Sequence, residues 1–213
     1  MASSHLQDTH NHPTTCCSNM IKSGASPDLR PIVICGLRRN DKYTMYQNLV
    51  EFHEDKFTRP PNHTTRWPAP WEIDAGSEIF VCRGDFLNLL HGNRFFHWQY
   101  FEGNHYGTSM DTVASLQKQG MVSIFETDLT GHSLTTKYQC LNPRYVFIRP
   151  PNAEYLRSSP VTRGMDEDSL QYVISYTEKD LDTAEESGIF DLVIINDDPD
   201  KAFQKLEAFA LGL

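Results

Sequence analysis

Residues 36 to 44, Gly-Leu-Arg-Arg-Asn-Asp-Lys-Tyr-Thr, have the outline of a loop that cradles phosphate. Such a loop reads G-x-x-x-x-G-K-[ST]. Its glycines let backbone N–H groups converge on the phosphates, its lysine neutralises them, and its hydroxyl ligates Mg²⁺. Gly36 and Lys42 stand at the required spacing. Asp41 stands where the second glycine belongs, and Tyr43 where the hydroxyl belongs, with Thr44 one place late. Two like charges ~4 Å apart near a protein surface repel by about 4 kcal/mol. A carboxylate at position 41 therefore weighs against a bound polyphosphate. Arg38 and Arg39 lie inside the loop. They either hold an anion, pair with Asp41, or remain solvated.

Three further stretches carry groups that suit a phosphorylated ligand. His63-Thr64-Thr65-Arg66-Trp67-Pro68, with Glu72 six residues after the arginine, offers a planar guanidinium fork and a carboxylate to orient it or to anchor its turn. Gly103-Asn104-His105-Tyr106-Gly107-Thr108-Ser109 adds a phenol that can donate to the same phosphate. Glu126-Thr127-Asp128-Leu129-Thr130-Gly131 supplies carboxylates that can accept from a ring N–H or reach Mg²⁺ through water. On spacing alone Arg66 reads equally as a surface ion pair, and Tyr106 as a packed aromatic.

These stretches, together with Gly188-Ile189-Phe190-Asp191-Leu192-Val193-Ile194-Ile195-Asn196-Asp197, resemble the guanylate kinases and their non-catalytic relatives. They follow the family's order and span roughly residues 29 to 211. The resemblance implies an α/β fold: a P-loop NTPase-type parallel sheet core, a small mixed nucleoside-monophosphate-binding lobe at about 62–106, and a short lid at about 152–168. It implies Gly36, Arg38, Arg39, Lys42 and Thr44 as the phosphate-binding loop. It implies Arg66, Glu72, Tyr106, Thr108, Glu126 and Asp128 around GMP or another phospho-ligand. Lys42 is the catalytic candidate if the chain turns over.

The departures from the family shape the functional expectation. Ala69 holds the place of a second arginine, and Ser77-Glu78 replaces the family's Asp-Tyr. His97 aligns with a guanine-reading glutamate, and Val173 holds a lid arginine's place, though Arg157 and Arg163 remain nearby. An arginine that stabilises a migrating phosphoryl group is worth roughly 10³ to 10⁵ in rate. The expectation is therefore a catalytically weak or inactive pseudokinase. It would act as a phospho-ligand or protein-binding module, similar to the guanylate kinase-like domains of membrane-associated scaffold proteins. A phosphorylated peptide or GMP would occupy the monophosphate site. The alternative is a divergent guanylate kinase converting ATP and GMP to ADP and GDP, and only then are ATP and Mg²⁺ required. Trp67, Trp71, Phe95, Phe96, Trp98, Tyr100 and Phe101 are read either as core or as a contact surface for protein partners.

The positioning elements follow from periodicity. Strand-like apolar runs occupy Ile32 to Cys35, Glu78 to Cys82, Phe95 to Phe101, Val122 to Phe125, Tyr145 to Ile148 and Leu192 to Ile195. Helices are expected over Thr44 to Phe52, Asp85 to Leu90, Asp111 to Gln119, Asp168 to Glu186 and Asp200 to Leu211, four of them stopped by Gly92, Gly120, Gly188 and Gly212. The alternation points to an α/β fold, and unbroken apolar strands point to a parallel sheet buried on both faces. Segment 62–106 departs from this pattern, with strands that lack long helices between them.

The chain of 213 residues has room for one well-cored domain, 29–213, after a polar leader, 1–28, read as disordered. With 28 acidic and 19 basic residues, its formal charge of -9 disfavours nucleic acid as a partner. No metal-ligand spacing and no C-x-x-C pair occurs. Cys35 and Cys82 lie in apolar runs and read as buried thiols of a reducing compartment. The pair Cys16-Cys17 is a weak lipidation signal. With no apolar run of transmembrane length and no signal-peptide core, a cytoplasmic location is expected.

Overall fold

A computed structural model describes residues 27–36, 42–73, 76–128, 141–159 and 162–213. The chain runs β1 (Ile32–Gly36), α1 (Lys42–Phe52), β2 (Phe57–Thr58), β3 (Asn62–Thr64), β4 (Glu78–Phe80), α2 (Arg83–His91), β5 (Phe95–Phe101), β6 (Asn104–Ser109), α3 (Met110–Lys118) and β7 (Val122–Asp128). It continues through β8 (Arg144–Arg149), a 3₁₀ turn (Ala153–Ser158), α4 (Glu167–Ser187), β9 (Leu192–Ile195) and α5 (Pro199–Leu211).

The core sheet has the order β2-β7-β1-β8-β9, and every pairing in it is parallel. Strand β1 is central and alternates between two apolar layers. Ile32 and Ile34 pack with Met45 and Leu49 of α1 and Leu206 of α5. Val33 and Cys35 pack with Phe147 and with Leu181 and Ala184 of α4. Burial on both faces explains the unbroken apolar strands, as periodicity led one to expect.

The second sheet, β4-β3-β6-β5, is mixed: β3 and β4 are parallel, while β6 is antiparallel to both β3 and β5. It forms the small lobe. The strands at Asn62–Thr64 and Asn104–Ser109 escape apolar periodicity because their residues are mostly polar. Helix α2 lies inside this lobe and turns its one fully buried residue, Phe86, onto Phe95 and His105, with ring centroids 4.4 and 5.0 Å away. Gly107 sits where β6 crosses β5. A Cβ there would come within 2.9 Å of the His97 carbonyl and the Trp98 Cβ, so no larger residue fits without moving the strand.

One expectation is corrected. Cys82 is not a buried strand thiol: β4 stops at Phe80, and Cys82 is exposed as the N-cap of α2, its sulfur accepting from the Asp85 N–H. Cys35 is buried as expected. The aromatic set also divides. Phe95 and Phe96 are core, whereas Trp67, Trp71, Tyr100 and Phe101 are exposed. Asp198 caps α5 by accepting from the N–H groups of Asp200 and Lys201.

Asp28, assigned to the leader on sequence, instead pairs with Arg30 and lies 3.6 Å from the buried Arg144. The Arg144 guanidinium also donates to the carbonyls of Phe209 and Ala210, tying the end of α5 to the start of β8. Residues 1–26, with Cys16 and Cys17, lie outside the described residues, as does Cys140. Among the described residues no helix is long and apolar enough to cross a membrane.

Phe86 carries the clearest stability prediction. Truncating a fully buried phenylalanine leaves a cavity between α2 and the small sheet. Phe86→Ala should cost roughly 3–5 kcal/mol of unfolding free energy, read as a shift in the urea midpoint.

Candidate functional site

The C-terminal ends of parallel strands are where α/β folds place their ligands. Here β1 ends at Gly36, whose register partners are Asp128 on β7 and Ile148 on β8. The chain then enters α1 at Lys42, so Lys42 and Thr44 stand in the first turn of a helix that follows the strand end. Such a turn presents unsatisfied N–H groups and a positive dipole end. Arg38, Arg39 and Asp41 lie outside the described residues. Tyr43 projects into the cleft beyond this corner, and its hydroxyl accepts from Gln47 at 3.1 Å.

That cleft, about 650 Å³, separates the core sheet from the small lobe. From the core side α1 contributes Tyr43, Tyr46 and Glu51, and β7 contributes Glu126. From the lobe side come Asn62, Glu78, His97, Gln99, Tyr106 and Thr108. Tyr106, Thr108 and Glu126, three of the residues singled out on sequence, thus face one space. Asp128 lies two positions further along β7, beside Gly36. Tyr46 is mostly buried, which pushes its phenol up to about 12, so it remains a neutral hydroxyl.

Arg66 is held in a single orientation. Its Nη1 and Nη2 each donate to a Glu72 oxygen at 2.8 Å, and Nη1 also donates to the Trp67 carbonyl at 3.0 Å. The guanidinium lies 5.4 Å from the centre of the Phe80 ring. Glu72 also accepts from the Ala69 N–H at 2.8 Å, which closes the 66–72 turn. Both sequence readings of Glu72, as orienter and as anchor, therefore describe one carboxylate. The Arg66 side-chain hydrogen bonds, then the Ala69 N–H, draw the Glu72 carboxyl down to about 2. A guanidinium has five N–H donors. Glu72 and Trp67 take three, leaving Nε and one Nη2 hydrogen, and Tyr106 also interacts with the group.

Sequence reasoning missed how Glu78 is placed. Position 78 registers in the sequence only as the lack of a tyrosine. In the fold its carboxylate enters the cleft, accepts from the Asn62 N–H at 2.9 Å and pairs with Arg59 at 3.4 Å. Burial raises its pKa, with the Asn62 N–H and the charges of Arg59 and Arg66 opposing that rise. Thr108 is buried and donates to the Asn62 side-chain oxygen at 2.7 Å, bracing the same strand. Arg59, before two prolines, gives no sequence signal.

Arg157 is not among the residues that line the cleft. It is tied to Glu154 on the 3₁₀ turn and to Glu167 and Gln171 in the first two turns of α4. Among the described residues no group of three or more His, Cys, Asp or Glu side chains could hold a metal ion by itself. Magnesium in such a site arrives with phosphate oxygens and water as its main ligands.

The clamp has a testable consequence. Glu72→Ala removes two of the three Arg66 acceptors and the acceptor of the Ala69 N–H. Hydrogen exchange of the backbone amides of Arg66, Trp67, Ala69, Trp71 and residue 72 should speed up at least tenfold, with β1, β7 and β8 unchanged. Because Glu72 is held at about 2, its contribution is present above the unfolded carboxyl value, near 4.5, and is lost only as pH falls toward 2. The wild-type exchange pattern of this turn should therefore hold from pH 7 to pH 5.

Comparison with known proteins agrees with this architecture. A family model described as guanylate kinase matches residues 28–211. Guanylate kinase of Schizosaccharomyces pombe is 33% identical over 185 residues, covering 86% of this chain and 91% of that protein. Those of Sus scrofa and Homo sapiens are 32% and 31% identical over 179 residues, 84% of this chain and 90% of theirs. The crystal structure of guanylate kinase from Anaplasma phagocytophilum superposes with a TM-score of 0.51 at 19% identity, covering 84% of this chain and 82% of that one. The matched region takes in both sheets, the cleft between them and the Arg66 turn, and the chain belongs to the guanylate kinase family.

Proposed function

We propose that the protein binds a purine nucleoside monophosphate in the cleft and transfers a phosphoryl group to it from Mg·ATP, as a divergent guanylate kinase. The observation that carries this reading is the Arg66–Glu72 clamp beside Tyr106. A guanidinium held in place beside the cleft-lining Tyr106, with its Nε–H and one Nη2–H not taken by Glu72 or Trp67, loses little entropy on gripping phosphate. Relatives named as guanylate kinases over nearly their whole length support the same assignment. In this scheme Arg66, Tyr106 and Thr108 position the acceptor, and Glu126 and Asp128 serve the base or the water shell of Mg²⁺. Gly36, Lys42 and Thr44 meet the ATP phosphates.

A second reading, a phospho-ligand or protein-binding module without turnover, draws on two specific features. The Tyr43 side chain lies in the cleft where a small hydroxyl would serve Mg²⁺, and the Glu78 carboxylate lies among the acceptor-side groups. Trp67, Trp71, Tyr100 and Phe101 stand exposed on the same lobe, in keeping with contact to a protein.

A coupled assay of ADP release separates the readings. Release should require both GMP and Mg²⁺, and Arg66→Ala should lower kcat/KM for GMP at least tenfold, about 1.4 kcal/mol. Absence of GMP-dependent release, with GMP or a phosphopeptide still raising the melting temperature, would establish the binding module instead.

A further inference from the structure

The pair of groups offered to a phosphate comes from two chain segments. Arg66 lies two residues past the end of β3, and Tyr106 lies inside β6. The bonds of the Glu72 clamp all fall within residues 66 to 72, so they hold the fork to its own turn. Thr65 ties that turn to β6. Its N–H donates to the His105 carbonyl at 3.1 Å. In an antiparallel pair the return bond, from the His105 N–H, would go to the Thr65 carbonyl. Here it goes to the Thr65 hydroxyl at 2.9 Å, and that hydroxyl donates to the Asn104 side-chain oxygen at 3.4 Å. The side chain stands in for the backbone. The ladder is completed while the main chain is released to turn into Arg66, whose own N–H donates to the buried Thr64 hydroxyl at 3.2 Å. His105 is itself buried, and a buried N–H without a partner is costly.

We propose that Thr65 is a positioning residue for the monophosphate: its hydroxyl holds the Arg66 fork at a fixed spacing from the Tyr106 phenol, and it acts on the phosphate through Arg66. The inference rests on the nucleotide-binding reading of the cleft. Valine at position 65 keeps the branched shape of threonine and removes the hydroxyl. The His105 N–H is then left with the carbonyl of residue 65 as its acceptor. Making that bond draws the chain back into the ladder and moves the Arg66 turn. Serine at the same position keeps the hydroxyl and the bond.

The test is titration calorimetry of GMP against wild type, Thr65→Val, Thr65→Ser, Arg66→Ala and the double variant Thr65→Val/Arg66→Ala, run below the lowest melting temperature of the set. Thr65→Val should weaken GMP at least tenfold, and Thr65→Ser less than about threefold. In the Arg66→Ala background, Thr65→Val should change the affinity less than about threefold, because a residue that acts through Arg66 has nothing left to position. A threonine that served only the lobe's stability would weaken GMP equally in both backgrounds. Thr65→Ala, which also lacks the hydroxyl, replaces Thr65→Val if that protein does not unfold cooperatively. The proposal is overturned if the protein lacking the hydroxyl binds GMP within about threefold of wild type, if its loss is equal in the two backgrounds, or if serine fails to restore the affinity. If wild type itself does not bind GMP, the nucleotide-binding reading falls and this inference falls with it.

Discussion

Strand β1 lies between two parallel neighbours and is buried along its whole length, so its side chains are divided between two apolar layers. Ile32 and Ile34 hold α1 and α5 on one face, and Val33 and Cys35 hold α4 on the other. Parallel strands expose their backbone only at their ends, and at the C-terminal end of β1 the apolar cover stops at Gly36. The turn into α1, the end of β7 and the mouth of the cleft all follow from that arrangement. A polar residue at position 33 or 34 would unseat a helix before it touched the site.

The small lobe answers a different constraint. Two of its strands, β3 and β6, are mostly polar, and its core is a short aromatic column, Phe86 on Phe95 with His105 beside them. The lobe is held to shape by polar bonds such as Thr108 to Asn62 and His105 N–H to the Thr65 hydroxyl at 2.9 Å. A lobe built this way depends on satisfied hydrogen bonds more than on buried area. The neighbouring Asn62 N–H holds Glu78 and the Thr64 hydroxyl accepts from the Arg66 N–H, so the candidate site hangs on the same strand network. Arg157, by contrast, is tied by exposed ion pairs, which are weak and easily exchanged.

Some of this was open to inspection in the residues alone. Buried parallel strands announce themselves as apolar runs, and β5 and β9 lie where periodicity puts them. The helix stops at Gly188 and Gly212 are legible because those residues take positive φ, +61° and +73°, which side chains resist. Arg66 and Glu72 are separated by six residues, too far for any helix-face rule, and their contact needs the turn that the Ala69 N–H closes. Cys82 misleads because a cysteine after an apolar run resembles strand, whereas its sulfur caps a helix.

The sequence by itself determined the α/β alternation, the family, the phosphate-loop outline and the altered positions 43, 69 and 78, since each is a matter of residue type and local spacing. Only the tertiary structure decided that Glu78 and Arg59 meet in the cleft, that Asp28 reaches Arg144, and that Trp67 and Trp71 face solvent while Phe96 does not. The physical reason is that charge pairing and burial depend on distance in space. Two residues nineteen or more than a hundred positions apart carry no mark of their meeting until the sheets that bring them together are formed.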